Sequence, residues 1–157
     1  MANQREDIKM TADEVTAFLG EAKNIILVTN GPDGYPDPVP MWFLRDADGV
    51  IWMRTYGASQ KVRNLERDPR CALLAEMGER YAELRGVQLT GRVEIDRDEE
   101  RICGIVADLM VKYEGLDPAH RDGAAEAYRP RAGKQVALRL ADYNVTSWDH
   151  RKLGAGG

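Results

Sequence analysis

The stretch GASQKVRNLERDP, residues 57–69, decides how the rest of the chain is read. Ser59 stands where an N-cap belongs, Val62 and Leu65 follow at helical spacing, and Asp68-Pro69 closes the element. Yet Lys61 falls in the first turn, where the helix dipole is positive and a cation costs roughly a few tenths of a kcal/mol. Arg63 and Arg67 follow closely, and Arg54 lies just upstream. A ligand more negative than the lysine is positive resolves the conflict, and phosphate is such a ligand. Ser59, the amides of Gln60 and Lys61, the Lys61 ammonium and Thr55 at the preceding strand end form the expected cradle, with Arg54 as a further cation. The competing reading is a solvated helix face whose arginines pair with Glu66 or nearby acids.

Working outward, Thr11-Ala-Asp-Glu14 is a capping box that opens a helix to about Ala22, with Val15, Phe18 and Leu19 on its apolar face. NIILVTN (24–30) reads as a strand ending in the turn GPDG, with Pro32 at the second position. YPDPVPMWFLRD and VIWMRTY flank the turn DADG and read as a hairpin. After the cationic helix (60–67), RCALLAEM is a strand. LRGVQLTGRVEID is another, with Gly91 as a bulge or close approach. DRDEERICGIVADLMVKYEG is a helix whose acidic first turn suits the dipole. Residues 115–134 read as a loop with a short helical piece, and KQVALRLADYNVTSWD as a long final strand or strand pair. Closely spaced, mostly antiparallel strands with few helices indicate a barrel, not a doubly wound sheet.

Pro36, Pro38 and Pro40 occupy alternate positions of an extended stretch, so one side of that strand carries no amide donor. Two readings stand: protection of a sheet edge, or the border of a pocket. On the second, Met41, Trp42 and Phe43 supply an apolar wall for a flat heteroaromatic ring.

The chain has 157 residues, enough for one domain, with 43% hydrophobic and 31% charged residues. No apolar run has the roughly 20 residues of a membrane helix. The N-terminus MANQREDIKM lacks the apolar segment of a secretion signal. Cys71 and Cys103 match no metal-ligand spacing, so reduced thiols and a cytoplasmic protein are expected. A net charge of −4 with interspersed signs argues against a non-specific nucleic-acid binder. Arginine outnumbers lysine 16 to 6.

RTYGASQKVRNLERDPRCALL closely resembles a segment of the pyridoxamine-phosphate-oxidase-like split-barrel flavoproteins, through S-x-K, N-L and D-P into the next strand. The opening helix, NIILVTN, the Gly/Pro turn, PVPMWF and the later VQLTGRVEI fit the same order, over roughly residues 11–148. The resemblance implies a single domain (1–157) folded as a six-stranded split β-barrel with peripheral helices, a mainly β or α+β architecture. It implies a homodimer with a flavin-type cofactor in the interface groove. Its cofactor phosphate meets residues matching Thr55, Ser59 and Lys61, with Arg54 nearby, and Pro40 to Phe43 lie against the ring. Gln88 matches a polar position that faces the cofactor, and Trp148 is counted with it.

Within the family, one branch holds FMN, another uses the reduced deazaflavin coenzyme F-420 as hydride donor, and a third binds haem. The chain ends SWDHRKL and lacks the arginine- and proline-rich C-terminal substrate segment expected of a true pyridoxamine-phosphate oxidase. Its short length and arginine bias resemble the deazaflavin B-type branch. The resemblance therefore implies an F-420-dependent oxidoreductase delivering hydride to a conjugated small molecule, biliverdin-like or quinone-like. Its alternatives are an FMN-dependent enzyme and a non-catalytic flavin- or deazaflavin-binding protein. The anionic tail of F-420 calls for cations, for which Lys61, Arg63, Arg67 and Arg151-Lys152 are available. No protein nucleophile, nucleic acid, membrane or metal is expected to take part. His120 and His150 read as surface histidines, and the proton that accompanies hydride is expected from solvent or from Arg54 or Tyr56. The acceptor pocket is expected from residues 76–85 and 113–134.

Overall fold

The computed structural model describes residues 4–154. In chain order the elements are α1 (Gln4–Asp7), α2 (Ala12–Glu21), β1 (Ile25–Asn30), β2 (Pro36–Met41), β3 (Leu44–Arg45) and β4 (Ile51–Tyr56). There follow α3 (Gln60–Arg67), β5 (Arg70–Met77), β6 (Arg85–Arg92), β7 (Glu94–Asp96) and α4 (Glu99–Glu114). The last are α5 (Arg121–Ala132), β8 (Gln135–Leu140) and β9 (Tyr143–Asp149), with short 3-10 turns at 81–83, 118–120 and 150–154.

The strands form two antiparallel sheets, ordered β2-β1-β5-β6-β9 and β3-β4-β8-β7. The architecture is α+β, as expected, with five strands in one sheet and four in the other. The main core gathers residues of both sheets: Ile25, Leu27, Leu73, Val87 and Leu89 from one, Ile51, Met53, Leu138 and Leu140 from the other. Phe18 and Leu19 of α2 and Val62 and Leu65 of α3 complete it. A second cluster packs α4 and α5 on the opposite face of the four-stranded sheet, joining Val50, Trp52 and Ala137 to Ile102, Cys103, Ile105, Leu109 and Ala132. Among the described residues no helix is long and apolar enough to cross a membrane.

The expected caps and turns are present. Thr11 and Glu14 close a reciprocal capping box on α2. Gly34, at φ +85°, follows Pro32-Asp33 in the turn after β1. Asp98 caps α4, and Gly115 ends it in the left-handed region.

Four expectations are corrected. The run 35–46 is not one arm of a hairpin with 50–56: β2 pairs with β1, and only Leu44 and Arg45 pair with β4. The run 84–96 breaks at Val93, whose amide bonds the Pro69 carbonyl, and the chain passes from one sheet to the other. Residues 115–134 are mostly helix: α5 forms despite Gly123 and Pro130, because it packs on α4 and Arg121 ties its start to Asp108 of α4. The final segment is two strands in different sheets.

β2 is an edge strand. Its prolines face Asn30, Val28 and Ile26 in the register, so the amides of Asp37, Val39 and Met41 serve β1 and the outer edge offers carbonyls only. One cross-strand row on the sheet face turned from the core runs Pro40, Ile26, Leu74, Gln88, Thr146. Ile26, Val28, Ala72 and Leu74 on this face are only half-buried.

Candidate functional site

Strand alternation sorts the site. In β4, Met53 and Thr55 point into the core, whereas Arg54 and Tyr56 point to the other face. Thr55 is buried at the strand end, and the chain then turns through Gly57 into α3, with the Ser59 amide bonded to the Tyr56 carbonyl. Lys61 reaches back from the first turn of α3, its Nζ 3.3 Å from Thr55 Oγ1. Ser59 occupies the N-cap position with extended backbone, but its hydroxyl makes no capping bond. Its Oγ is buried and has no hydrogen-bond partner. The amides of Gln60 and Lys61, at the helix start, have no acceptor within the helix.

The residues that would hold a phosphate thus converge: an unpaired buried hydroxyl, a second hydroxyl, free first-turn amides and an ammonium. Among the described residues neither Lys61 nor Arg63 forms an ion pair, and Glu66 pairs with Arg97 at 2.7 Å instead. Among the described residues Arg63 and Arg67 make no ion pair with Glu66 or a nearby acid, and Arg63 lies on an exposed helix face. This donor set fits a phosphate-bearing cofactor.

Asn64 fastens the helix. It is fully buried, and its Nδ2 donates to Thr29 Oγ1 and Asp37 Oδ2, each at 3.0 Å. Its Oδ1 accepts from Gln60 Nε2 at 2.9 Å and Arg67 Nη2 at 3.3 Å. The amide nitrogen therefore ties α3 to β1 and β2, while the oxygen gathers Gln60 and Arg67 of the same helix. Sequence reading took Asn64 as part of a motif and missed this role; its spacing of four from Gln60 was the available signal.

The proposed ring wall divides. Met41 is mostly buried and Phe43 fully so, both in the core, while Pro40 is exposed and Trp42 is 43% exposed. The Trp42 indole stacks on Tyr113 of α4, with centroids 4.5 Å apart and planes 4° apart. Arg54 lies on the α4–α5 side of its strand: it donates to Gln135 Oε1 at 3.2 Å and stands 5.9 Å from the Tyr128 ring centre. It shares no strand face with Thr55. Tyr56 is 62% exposed beside the helix entry.

Several sequence candidates lie elsewhere. Gln88 and Trp148 sit on the outer face of the five-stranded sheet, so the core separates them from Thr55 within one chain. The Trp148 ring lies over Gly86, where an added Cβ would come 2.1 Å from it. Arg67 is engaged with the Asn30 carbonyl and Asn64. Arg151 pairs with Asp149 and Lys152 with Glu14, each at 2.6 Å, so neither is free for a ligand tail. His120 is exposed, and His150 Nδ1 lies 2.8 Å from the Tyr81 carbonyl. Both cysteines are buried free thiols, and burial pushes Cys71 up to about 11. Lys112 and Tyr113 come from the helix expected over 96–115, and Tyr128 from the region expected to be loop.

Comparison with known proteins follows this geometry. The pyridoxamine 5'-phosphate oxidase family matches residues 11–148. No curated protein matches the sequence. The conserved hypothetical protein Rv2991 from Mycobacterium tuberculosis is 35% identical, with a TM-score of 0.84 over 96% of this chain and 91% of that one. An F-420 reductase is similar at 22% identity and a TM-score of 0.61, over 82% of this chain and 93% of that one. The haem storage protein HutZ from Vibrio cholerae is similar at 18% identity and a TM-score of 0.61, over 85% and 92%. The last two share the fold. With the family matched from the opening helix to the last strand, the chain belongs to the pyridoxamine 5'-phosphate oxidase family.

Proposed function

We propose that the protein is an oxidoreductase that holds coenzyme F-420 by its phosphate and passes hydride to a conjugated small molecule, biliverdin-like or quinone-like. The observation that carries this reading is the Ser59 hydroxyl, buried and unpartnered beside a lysine with no acid. A buried polar atom without a partner costs about 1–3 kcal/mol, and a phosphate oxygen would remove that cost. Arg63, exposed and outside any ion pair among the described residues, extends the positive end toward a longer anionic tail. Such a tail distinguishes F-420 from FMN. The fold shared with an F-420 reductase is compatible with this choice.

When bound, the deazaflavin supplies the hydride chemistry, and the protein supplies orientation and a dry pocket. Thr55, Ser59 and Lys61 anchor the phosphate, while Pro40 and Trp42 present an apolar surface to the ring. Arg54, one of the two candidate proton donors, points to the α4–α5 side of its strand and donates to Gln135. Tyr56, exposed beside the helix entry, is the other candidate proton donor; unchanged turnover in both Arg54→Ala and Tyr56→Phe would leave the proton to solvent.

The active form is a homodimer. The half-buried apolar row Ile26, Leu74 and its neighbours is the proposed contact, and Gln88 and Trp148 on that face then reach the partner's cofactor. Leu74→Lys should give a monomer in sedimentation. The buried free thiols suit a reducing, cytoplasmic setting.

Side-by-side fluorescence titration with F-420 and FMN tests the cofactor. Micromolar or tighter F-420 binding with weak FMN binding supports the proposal, and preference for FMN replaces it with the FMN-dependent reading. Tight F-420 binding without hydride transfer to any acceptor makes the protein a carrier.

A further inference from the structure

At its C-terminal end α4 grips the chain between β2 and β3, through polar contacts to the backbone N–H and C=O of one residue, Phe43. The Phe43 amide donates to Tyr113 Oη at 3.1 Å, and the same phenol lies 3.1 Å from the Phe43 carbonyl oxygen. That carbonyl also accepts from Lys112 Nζ at 2.9 Å. The ammonium sits 3.9 Å from the Phe43 ring centre and 4.9 Å from that of Tyr113. The Tyr113 ring lies flat on Trp42. A two-residue stretch without a regular strand is thus held by two adjacent side chains of a helix that has no part in the phosphate cradle.

We infer that Lys112 and Tyr113 are the positioning residues of the ring wall, holding Trp42–Phe43 so that tyrosine closes one indole face and the other is presented to the flat ring of the cofactor. The inference rests on the cofactor reading above and adds to it the control of the ring by α4. Phe43 is buried and anchors the segment in the core. Trp42 beside it has no hydrogen-bond partner on the indole nitrogen among the described residues, so its setting depends on the stack and on the neighbouring peptide. Removing the phenol oxygen or the ammonium frees that peptide.

The lysine contributes through its charge. Its charge-assisted bond to a carbonyl and its place over two aromatic faces both weaken when the proton leaves. The groups facing it are the Tyr113 phenol, the Phe43 carbonyl and, from the end of α2, the cationic Lys23. Asp108, one turn back on α4, is held by Arg121, and Glu114 is exposed. Burial, and then Lys23, pushes Lys112 down to about 8. The grip therefore loosens as pH rises through 8, and ring binding weakens with it.

The test uses full-length wild type, Lys112→Met, Lys112→Arg and Tyr113→Phe, with Trp42→Phe to assign the indole signal. Near-ultraviolet circular dichroism of the ligand-free proteins is followed from pH 6 to 10, and F-420 and FMN affinities are measured at pH 7 and 9. The expected result is a Trp42 signal that titrates near pH 8 in wild type and is flat in Lys112→Met. Cofactor affinity should fall severalfold between pH 7 and 9 in wild type, with Lys112→Arg holding the pH 7 value at pH 9. Tyr113→Phe should weaken ring binding at both pH values. A Trp42 signal that does not titrate, or a pH profile in Lys112→Met equal to that of wild type, overturns the inference. If neither cofactor binds wild type but the Trp42 signal titrates through Lys112, the cofactor reading fails while the hold of α4 on the wall stands.

Discussion

Lys61 Nζ stands 3.3 Å from Thr55 Oγ1, and this contact joins the first turn of α3, whose N-cap hydroxyl on Ser59 is buried and unpartnered, to the end of β4. A lysine in that turn opposes the helix dipole, and a hydroxyl cap that bonds nothing gives up its ordinary stabilisation. Ser59 and Lys61 thus sacrifice local stability at one helix end, as a binding site for an anion requires.

Ser59→Ala should therefore behave unlike an ordinary cap deletion. Losing an N-cap serine commonly costs about 1 kcal/mol. Here the hydroxyl makes no capping bond, so urea midpoints should stay level or rise while affinity for a phosphate-bearing cofactor falls. A drop of about 1 kcal/mol or more in the ligand-free protein would show that the hydroxyl caps the helix in solution.

Asn64→Ala should be severe. It strips partners from Thr29 and the Asp37 carboxylate inside the fold, at a cost of about 2–4 kcal/mol. Asn64→Asp should be worse than its size suggests, since it sets a second carboxylate against Asp37. Chemical denaturation of both variants reads this directly.

Gly86→Ala tests the outer face. An added methyl would meet the Trp148 ring, which must move, so a loss of about 1–3 kcal/mol is expected. Pairing it with Trp148→Ala should recover part of that loss, measured as a double-mutant cycle.

Acid stability should depend on Asp149. It is buried, and the Arg151 guanidinium beside it holds its carboxyl below the usual range. The unfolded chain takes up the proton first, near pH 3.9. This contribution is thus complete above that pH and lost progressively as pH falls through the lower folded value. Asp149→Asn should flatten the fall in urea midpoint between pH 6 and pH 3, leaving the curve governed by the other carboxylates.

Much of the fold was legible because the signals were local. The capping box at Thr11, the strand 25–30 and the helix 60–67 each follow from residues within a few positions of one another. Where the chain changes sheets, the signal is tertiary: alternation runs on through Val93, and only its bond to Pro69 shows the break. The α5 helix was hidden by Gly123 and Pro130, whose low propensity is overridden by packing on α4. At the site, Thr55, Ser59 and Lys61 were readable from one motif. Tyr113 was not, since nothing in sequence places a residue 70 positions away against the Phe43 peptide. Arg54 was assigned to the cradle by proximity in sequence, but strand alternation turns it to the other face.

The phosphate cradle is tested most directly by comparing FMN with riboflavin, and F-420 with its dephosphorylated core, by isothermal titration calorimetry on wild type and Ser59→Ala/Lys61→Ala. One charge-assisted hydrogen bond is worth about 1.5–3 kcal/mol. The phosphate-bearing member of each binding pair should therefore be favoured by roughly ten- to a hundredfold in wild type, and the preference should vanish in the double variant. Equal affinity for the two members in wild type would contradict the account.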